Sequence, residues 1–279
     1  MNYTVTLPKS GPKPSYYEAY VGYMKKILEY NKVPYTLEGS VNTGEVSFPT
    51  ATKYLMRIND KRVVIDYSDN IDHMPNWHEF DATFKFHYVE HKQGDLSTVY
   101  PFAPISFHNW KRYYQLRKSI KYTCSSDLVL NMQRPGGNAI KRRIEVQKML
   151  QKQYGGRVLT HFNASQENYW SKINDCLLHV FVPGCRNDMI DRGHLQYMAF
   201  GCCTISPKII DVLPYDGHLI PDEHYVECAS DYSDLIEKIE YCRTHRDFCI
   251  EIGRKGQELF EQSCSPDKLW DWIIEKVYG

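Results

Sequence analysis

The chain has 279 residues, with 34 basic against 34 acidic side chains, 42% hydrophobic and 24% charged residues. This is the balance of a folded globular protein, and it excludes disordered and fibrous classes. The length favours two domains with a cleft between them, and a formal net charge of +0 removes the field that sequence-independent binders of nucleic acid or anionic membranes use.

Residues 1–15 read as a strand and a loop, without the continuous apolar stretch of a signal peptide. No run of about 18 apolar residues follows, so residence in a cytosol is expected. Tyr20, Tyr23, Met24, Ile27 and Leu28 recur at helical spacing and predict a helix over 16–30, ended by Asn31 and Pro34. Residues 54–58 and 62–65, separated by Asn59, Asp60 and Lys61, have the pattern of a hairpin. A strand is expected within 80–88, a loop over 99–105, and a basic aromatic segment over 110–120 leads to a domain boundary at 121–126.

Beyond residue 127 the pattern alternates strand and helix: strands at 128–131, 157–161, 177–182 and 202–205, helices at 139–154, 165–176 and 188–200. Repeated units of this length imply a parallel sheet wrapped by helices. Helices over 233–245, 248–262 and 269–277 complete the chain, the last introduced by Ser265, Pro266 and Asp267. The nine cysteines show no CxxC pair and no CxxH spacing, so the sequence supports neither a disulfide framework nor a zinc site. The 22 tyrosines cluster as Tyr16–Tyr17, Tyr113–Tyr114 and, with tryptophan, Tyr169–Trp170, which suits packing and amphipathic surfaces for flat ligands.

In an open α/β sheet, ligands bind outside the carboxyl ends of the strands, where helix amino termini attract anions. The richest such turn follows the strand at 177–182: Pro183, Gly184, Cys185, Arg186, Asn187, Asp188, then Asp191, Arg192, Gly193 and His194. Guanidinium forks match phosphate oxygens, so Arg186 and Arg192 suit a diphosphate; the alternative is a surface turn in which they pair with Asp188 and Asp191. Arg134, with Lys141, Arg142 and Arg143, forms a second basic locus at the first strand-to-helix turn of the same domain, and a solvated helix face is the alternative for the cluster. The absence of GxxxxGK[ST], GxGxxG after a strand, and GxSxG argues against P-loop hydrolases, dinucleotide oxidoreductases and serine hydrolases. In the amino-terminal half, Asp66, Asp69, Asp72, His73 and Asp81 are candidate bases. Asp69 lies just beyond the strand at 62–67; the alternative for it is a cap or turn carboxylate.

The order Tyr169-Trp170, a strand ending Val182-Pro183-Gly184, then Asp191-Arg192-Gly193-His194-Leu195-Gln196-Tyr197-Met198-Ala199-Phe200-Gly201 and a following strand resembles the carboxy-terminal half of GT-B glycosyltransferases, with an exostosin-like flavour. Short enzymes of large DNA viruses are of this kind. The match covers roughly residues 124–279, with His224-Tyr225 and Asp231 to Leu235 fitting as well. It departs at Gln196, where the family's helix usually carries a glutamate that binds the donor ribose or sugar; an amide keeps hydrogen bonding but not charge.

The resemblance implies an α/β, GT-B architecture of two Rossmann-like domains facing each other across a cleft: an acceptor domain over 1–121, a nucleotide-sugar domain over 122–265, and a last helix, 266–279, packing back toward the first. It implies transfer of a sugar from a nucleotide-diphosphate donor, a UDP-sugar with xylose or glucose as first guesses, to a hydroxyl of a glycan or glycoprotein. Transfer would be inverting and need no metal or other cofactor. Asp69 is the expected base and His73 the second choice. The donor set is Arg134, Gly184, Arg186, Asp188, Arg192, His194 and Gln196. For a viral chain the compartment would be the host cytoplasm. Rival readings are a nucleotide- or phosphate-binding module without turnover, and a nucleic-acid-modifying sugar transferase drawing on Lys111, Arg112, Arg117 and Lys118; neutral net charge weighs against the latter.

Overall fold

The structure, a computed structural model, describes residues 3–11, 14–40, 52–68, 71–72, 76–90, 96–103, 110–119, 129–131, 139–160, 166–176, 178–184, 186 and 188–279. It is α/β and divides into two units, one comprising Met1–Tyr114, Val212–Gly217 and Gln262–Gly279, the other Gln115–Asp211 and His218–Glu261.

The first unit starts as a βαβ element. Strands β1 (Val5–Ser10) and β2 (Tyr35–Ser40) pair in parallel, and helix α1 (Pro14–Tyr30) makes the crossover that parallel neighbours require. Of the stripe that the spacing predicts on α1, Tyr23, Met24, Ile27 and Leu28 are buried and Tyr20 is half-buried; Val21, outside that stripe, is buried as well. Strands β3 (Lys53–Ile58) and β4 (Lys61–Asp66) form the expected hairpin, with Asn59 at φ 54 in the left-handed turn position. Strands β5 (Ala82–Lys85) and β6 (Val99–Pro101) follow in parallel, giving the sheet order β2-β1-β3-β4-β5-β6. The loop expected over 99–105 is therefore corrected at its start. Val99–Pro101 is an edge strand, short enough and outermost, where a proline deprives no neighbour of a donor.

Helix α2 (Trp110–Ser119) continues the chain as the basic aromatic segment. The second unit is then built from β7 (Val129–Asn131), α3 (Ile140–Tyr154), β8 (Val158–Thr160), α4 (Gln166–Asp175), β9 (Leu178–Val180), α5 (Arg192–Ala199) and β10 (Thr204–Pro207). A two-stranded ribbon, β11 (Val212–Leu213) with β12 (Gly217–His218), precedes β13 (Val226–Cys228) and the helices α6 (Leu235–Thr244) and α7 (Arg246–Ser263). The main sheet has the order β13-β10-β9-β7-β8, and every pairing in it is parallel. Val146, Leu150, Val180, Ile205, Val226, Leu235, Ile239 and Ile252 fill one core between sheet and helices.

Counted from β7, that order is 2-1-3-4-5, the doubly wound arrangement in which the winding reverses between the first and third strands. The reversal lies between β7 and β9. The chain leaves β9 into the Pro183-to-His194 motif; residues 132–138, Arg134 among them, lie outside the described residues.

Helix α8 (Pro266–Tyr278) belongs to the first unit. Trp272 donates its indole N–H to the Pro101 carbonyl at 3.0 Å, Asn31 donates to the Pro266 carbonyl at 2.9 Å, and the Tyr278 hydroxyl donates to the Ile58 carbonyl at 2.8 Å. No helix among the described residues is long and apolar enough to cross a membrane.

Candidate functional site

The turn from β9 into α5 is organised by Asp191. Its backbone is extended and its Oδ1 accepts from the N–H groups of Gly193, at 2.6 Å, and His194, at 3.4 Å, so it caps the helix. The helix starts at Arg192, four residues later than the periodicity suggested, because residues 188–191 are needed for the turn. Burial raises the Asp191 carboxyl from its ordinary range, while Arg143 and the two N–H groups oppose that rise.

Two arginines of α3 hold this turn from below. Arg143 donates Nε to the Val182 carbonyl at 3.0 Å and Nη2 to Asp191 at 3.2 Å, and Arg142 donates to the Pro183 carbonyl at 2.7 Å. Lys141 is exposed, 4.0 Å from Glu145. The solvated-face reading of the basic cluster thus fits Lys141 alone. The signal was present in the sequence: Arg142 and Arg143 stand four and three residues before Val146, whose side chain is in the core, so all three share a helix face. Gly184 lets the guanidinium in, since a Cβ there would sit 3.1 Å from Arg143 Nη2.

Arg186 makes a two-pronged pair with Asp188, at 3.0 and 2.9 Å, and Arg186 holds the Asp188 carboxyl below its usual range. Of the pairings weighed from the sequence, Arg186 with Asp188 is present; Asp191 pairs with Arg143, and the charge of Arg192 also acts on it. The Asp188 carbonyl accepts from Ile210 N at 3.0 Å, and the buried Asp211 carboxylate accepts from Ile190 N at 2.7 Å, which ties the turn to the segment beyond β10. Arg186, Asp188, Pro207, Lys208 and Ser230 line a cavity of about 380 Å³. These residues leave the carboxyl ends of β9, β10 and β13. Lys208 was not singled out in the sequence.

Deeper in α5, Gln196 is buried and its amide is engaged: Oε1 accepts from the indole of Trp170 at 3.1 Å and Nε2 donates to the Arg192 carbonyl at 3.4 Å. Tyr169 donates its hydroxyl to Tyr197 at 3.2 Å. His194 is fully buried, 4.8 Å from the Phe181 ring, and neither of its ring nitrogens has a hydrogen-bond partner among the described residues. Burial pulls its pKa down to about 3, so the ring is neutral.

In the first unit the described candidates have structural partners. Asp66 stands in register with Lys53 on β3 and Lys85 on β5, so three charges form one row across neighbouring strands. Its Oδ2 lies 3.0 Å from Lys53 Nζ and 3.3 Å from Lys85 Nζ, and Oδ1 accepts from Ser68 N at 2.8 Å. Burial lowers the pKa of Lys85, and Asp66 opposes that. Asp81 accepts from Lys61 at 3.0 Å and from Arg62 N at 2.8 Å. Asp69, His73 and Arg134 lie outside the described residues.

No family model matches the chain. A stretch of it is 33% identical over 85 residues to uncharacterized protein 179R of Invertebrate iridescent virus 6, covering 27% of this chain and 7% of that one. Among solved structures it is similar to a TarM variant of S. aureus in complex with fondaparinux, α-GlcNAc-glycerol and UDP, with a TM-score of 0.48, 12% identity, and coverage of 73% of this chain and 45% of that one. It is also similar to Anabaena HepE in complex with UDP and glucose, at a TM-score of 0.48, 10% identity and coverage of 72% and 64%. A third is an α-glucosyltransferase in complex with UDP and a 13-mer DNA, at a TM-score of 0.46, 11% identity and coverage of 72% and 65%. The chain thus spans less than half the length of TarM and under two thirds of that of HepE.

Proposed function

We propose that the chain is a GT-B glycosyltransferase that moves a sugar from a nucleotide-diphosphate donor to a hydroxyl of a glycan or glycoprotein. The observation that carries this reading is the cavity of about 380 Å³ at the carboxyl ends of β9, β10 and β13, next to the reversal of winding and bearing Arg186 and Lys208. A volume of that order fits a nucleotide-sized ligand, and guanidinium and ammonium groups suit its phosphates.

The donor is a UDP-sugar carrying xylose or glucose, and the acceptor is held by the first unit. Asp69, with His73 as second choice, takes the proton of the acceptor hydroxyl as its oxygen attacks the anomeric carbon from the face opposite the diphosphate. The bond from that carbon to the diphosphate oxygen breaks, configuration inverts, and the departing charge is met by Arg134, Arg186, Arg192 and Lys208 without a metal. Gly184 keeps the turn open, and Asp188, His194 and Gln196 complete the donor side. The reaction takes place in a cytosol, the host's if the chain is viral.

One observation favours a second reading, a phosphate-binding module without turnover: both ends of the Gln196 amide are already bound within the protein. Release of UDP from UDP-glucose or UDP-xylose, followed with the purified chain, separates the two. Sustained release supports the transferase, whereas tight UDP binding with no release from any UDP-sugar supports the module.

A further inference from the structure

Three cysteines far apart in the sequence meet in the second unit. Cys203 directly precedes β10, Cys242 lies in the last turn of α6, and Cys249 lies in the first turn of α7. Their sulfur atoms all lie within 4.8 Å of one another, and the residues are 2%, 0% and 1% exposed. Cys249 Sγ also donates to the Cys242 carbonyl at 3.2 Å. No short spacing in the chain marks this group, because the ligand pairs that betray a metal site are replaced here by contacts between the start of a strand and two helices.

An ion bonded to three thiolates at about 2.3 Å sits in a sulfur triangle with sides of about 4.0 Å, so this triangle closes on an ion with shifts of less than about 1 Å. Among the described residues no fourth histidine, cysteine, aspartate or glutamate joins the group. Tetrahedral zinc therefore lacks a fourth side-chain ligand among the described residues, and calcium or magnesium, which need about six or more oxygens, are not served by three sulfurs. Soft sulfur in threefold array suits monovalent copper. We infer that Cys203, Cys242 and Cys249 form a three-coordinate thiolate site for Cu(I), which would pin α6 and α7 to the edge of β10.

A cavity of about 260 Å³ in the same unit is walled by Asp222, Glu237, Lys238, Tyr241 and Phe248, of which Tyr241 and Phe248 directly precede Cys242 and Cys249 in the chain. On binding, three Cu–S bonds form and the thiol protons pass to solvent. Copper stays monovalent and no electron is transferred.

The test is an anaerobic titration of the reduced full chain with Cu(I) against bathocuproine disulfonate. The expected result is one copper retained per chain, with a near-ultraviolet sulfur-to-copper band. Affinity should fall about tenfold or more in Cys203→Ser and in Cys242→Ser, and stay unchanged in Cys264→Ser, a buried cysteine outside the group. No retention by the wild-type chain, or equal losses in all three variants, would overturn the site. Should the variants fail to fold, X-ray absorption on the copper-loaded wild-type chain decides: three sulfurs at about 2.3 Å support it, and two sulfurs or nitrogen and oxygen ligands refute it.

Discussion

Arg143 holds Asp191 at 3.2 Å, joining the first helix of the parallel unit to the cap of the helix that follows β9. Asp191 thereby serves as a helix cap and as the counter-charge of a half-buried guanidinium. Asp191→Ala removes both, and the expected loss is about 1–3 kcal/mol of stability. Asp191→Asn keeps the cap and gives up only the ion pair, so it should lose less. Chemical denaturation of both variants checks this; equal losses would show that the cap contributes nothing.

Gln196 is the acceptor for the indole N–H of the fully buried Trp170. Gln196→Ala takes that acceptor away inside the core and should cost about 1–3 kcal/mol. Gln196→Glu still offers an oxygen to Trp170, so it should be the better tolerated of the two, and it restores the charge that the GT-B resemblance leads one to expect. Thermal midpoints of the pair test the order; a glutamate variant less stable than the alanine variant would contradict it.

His179 and His194 are buried and neutral, with pKa values pulled by desolvation to about 4 and about 3 from an ordinary 6.5. Below pH 6.5 the unfolded chain takes up protons that the folded chain refuses. Stability is therefore complete above that pH and falls as pH drops from 6.5 toward 4, by up to about 1.4 kcal/mol per pH unit for each ring. His194→Leu should flatten this acid limb, measured as the change in denaturation midpoint between pH 7 and pH 5. An unchanged slope would sink the assignment.

The row Lys53–Asp66–Lys85 makes an asymmetric prediction. Asp66→Ala strands two lysines beside each other in the sheet and should cost about 3–5 kcal/mol. Lys85→Met leaves Asp66 paired with Lys53 at 3.0 Å and should stay within about 1 kcal/mol of the parent. Denaturant titrations of the two variants decide, and the reverse order would show that Lys85 is the indispensable charge.

Where the chain repeats one physical signal over many residues, the fold is legible in the sequence. The stripe of Tyr23, Met24, Ile27 and Leu28, the hairpin around Asn59, and the alternation of strands and helices beyond residue 127 all have counterparts in the structure. Short edge strands escaped: β6 has only three residues and ends in proline, too short for its alternation to stand out in the sequence, and β2 is mostly exposed. At the candidate site, Arg186 was legible by its turn. Arg142 and Arg143 were legible as part of a basic cluster but not their partners, the Val182 and Pro183 carbonyls and Asp191, and Lys208 was not legible, since these contacts are set by the fold. The gathering of Cys203, Cys242 and Cys249 depends on how α6 and α7 pack against β10, which no local spacing records.

The proposed function turns on whether the cavity at the carboxyl ends of β9, β10 and β13, lined by Arg186 and Lys208, takes a nucleoside diphosphate. Its most direct test is the thermal midpoint of the purified chain with UDP, GDP, CMP and UDP-sugars, in parallel with Arg192→Ala and Lys208→Ala. A ligand bound to the folded chain at 100 times its dissociation constant adds about 2.7 kcal/mol and raises the midpoint accordingly. The account predicts a rise with UDP that each substitution diminishes. No rise with any nucleotide, or a rise that both variants retain in full, would contradict it.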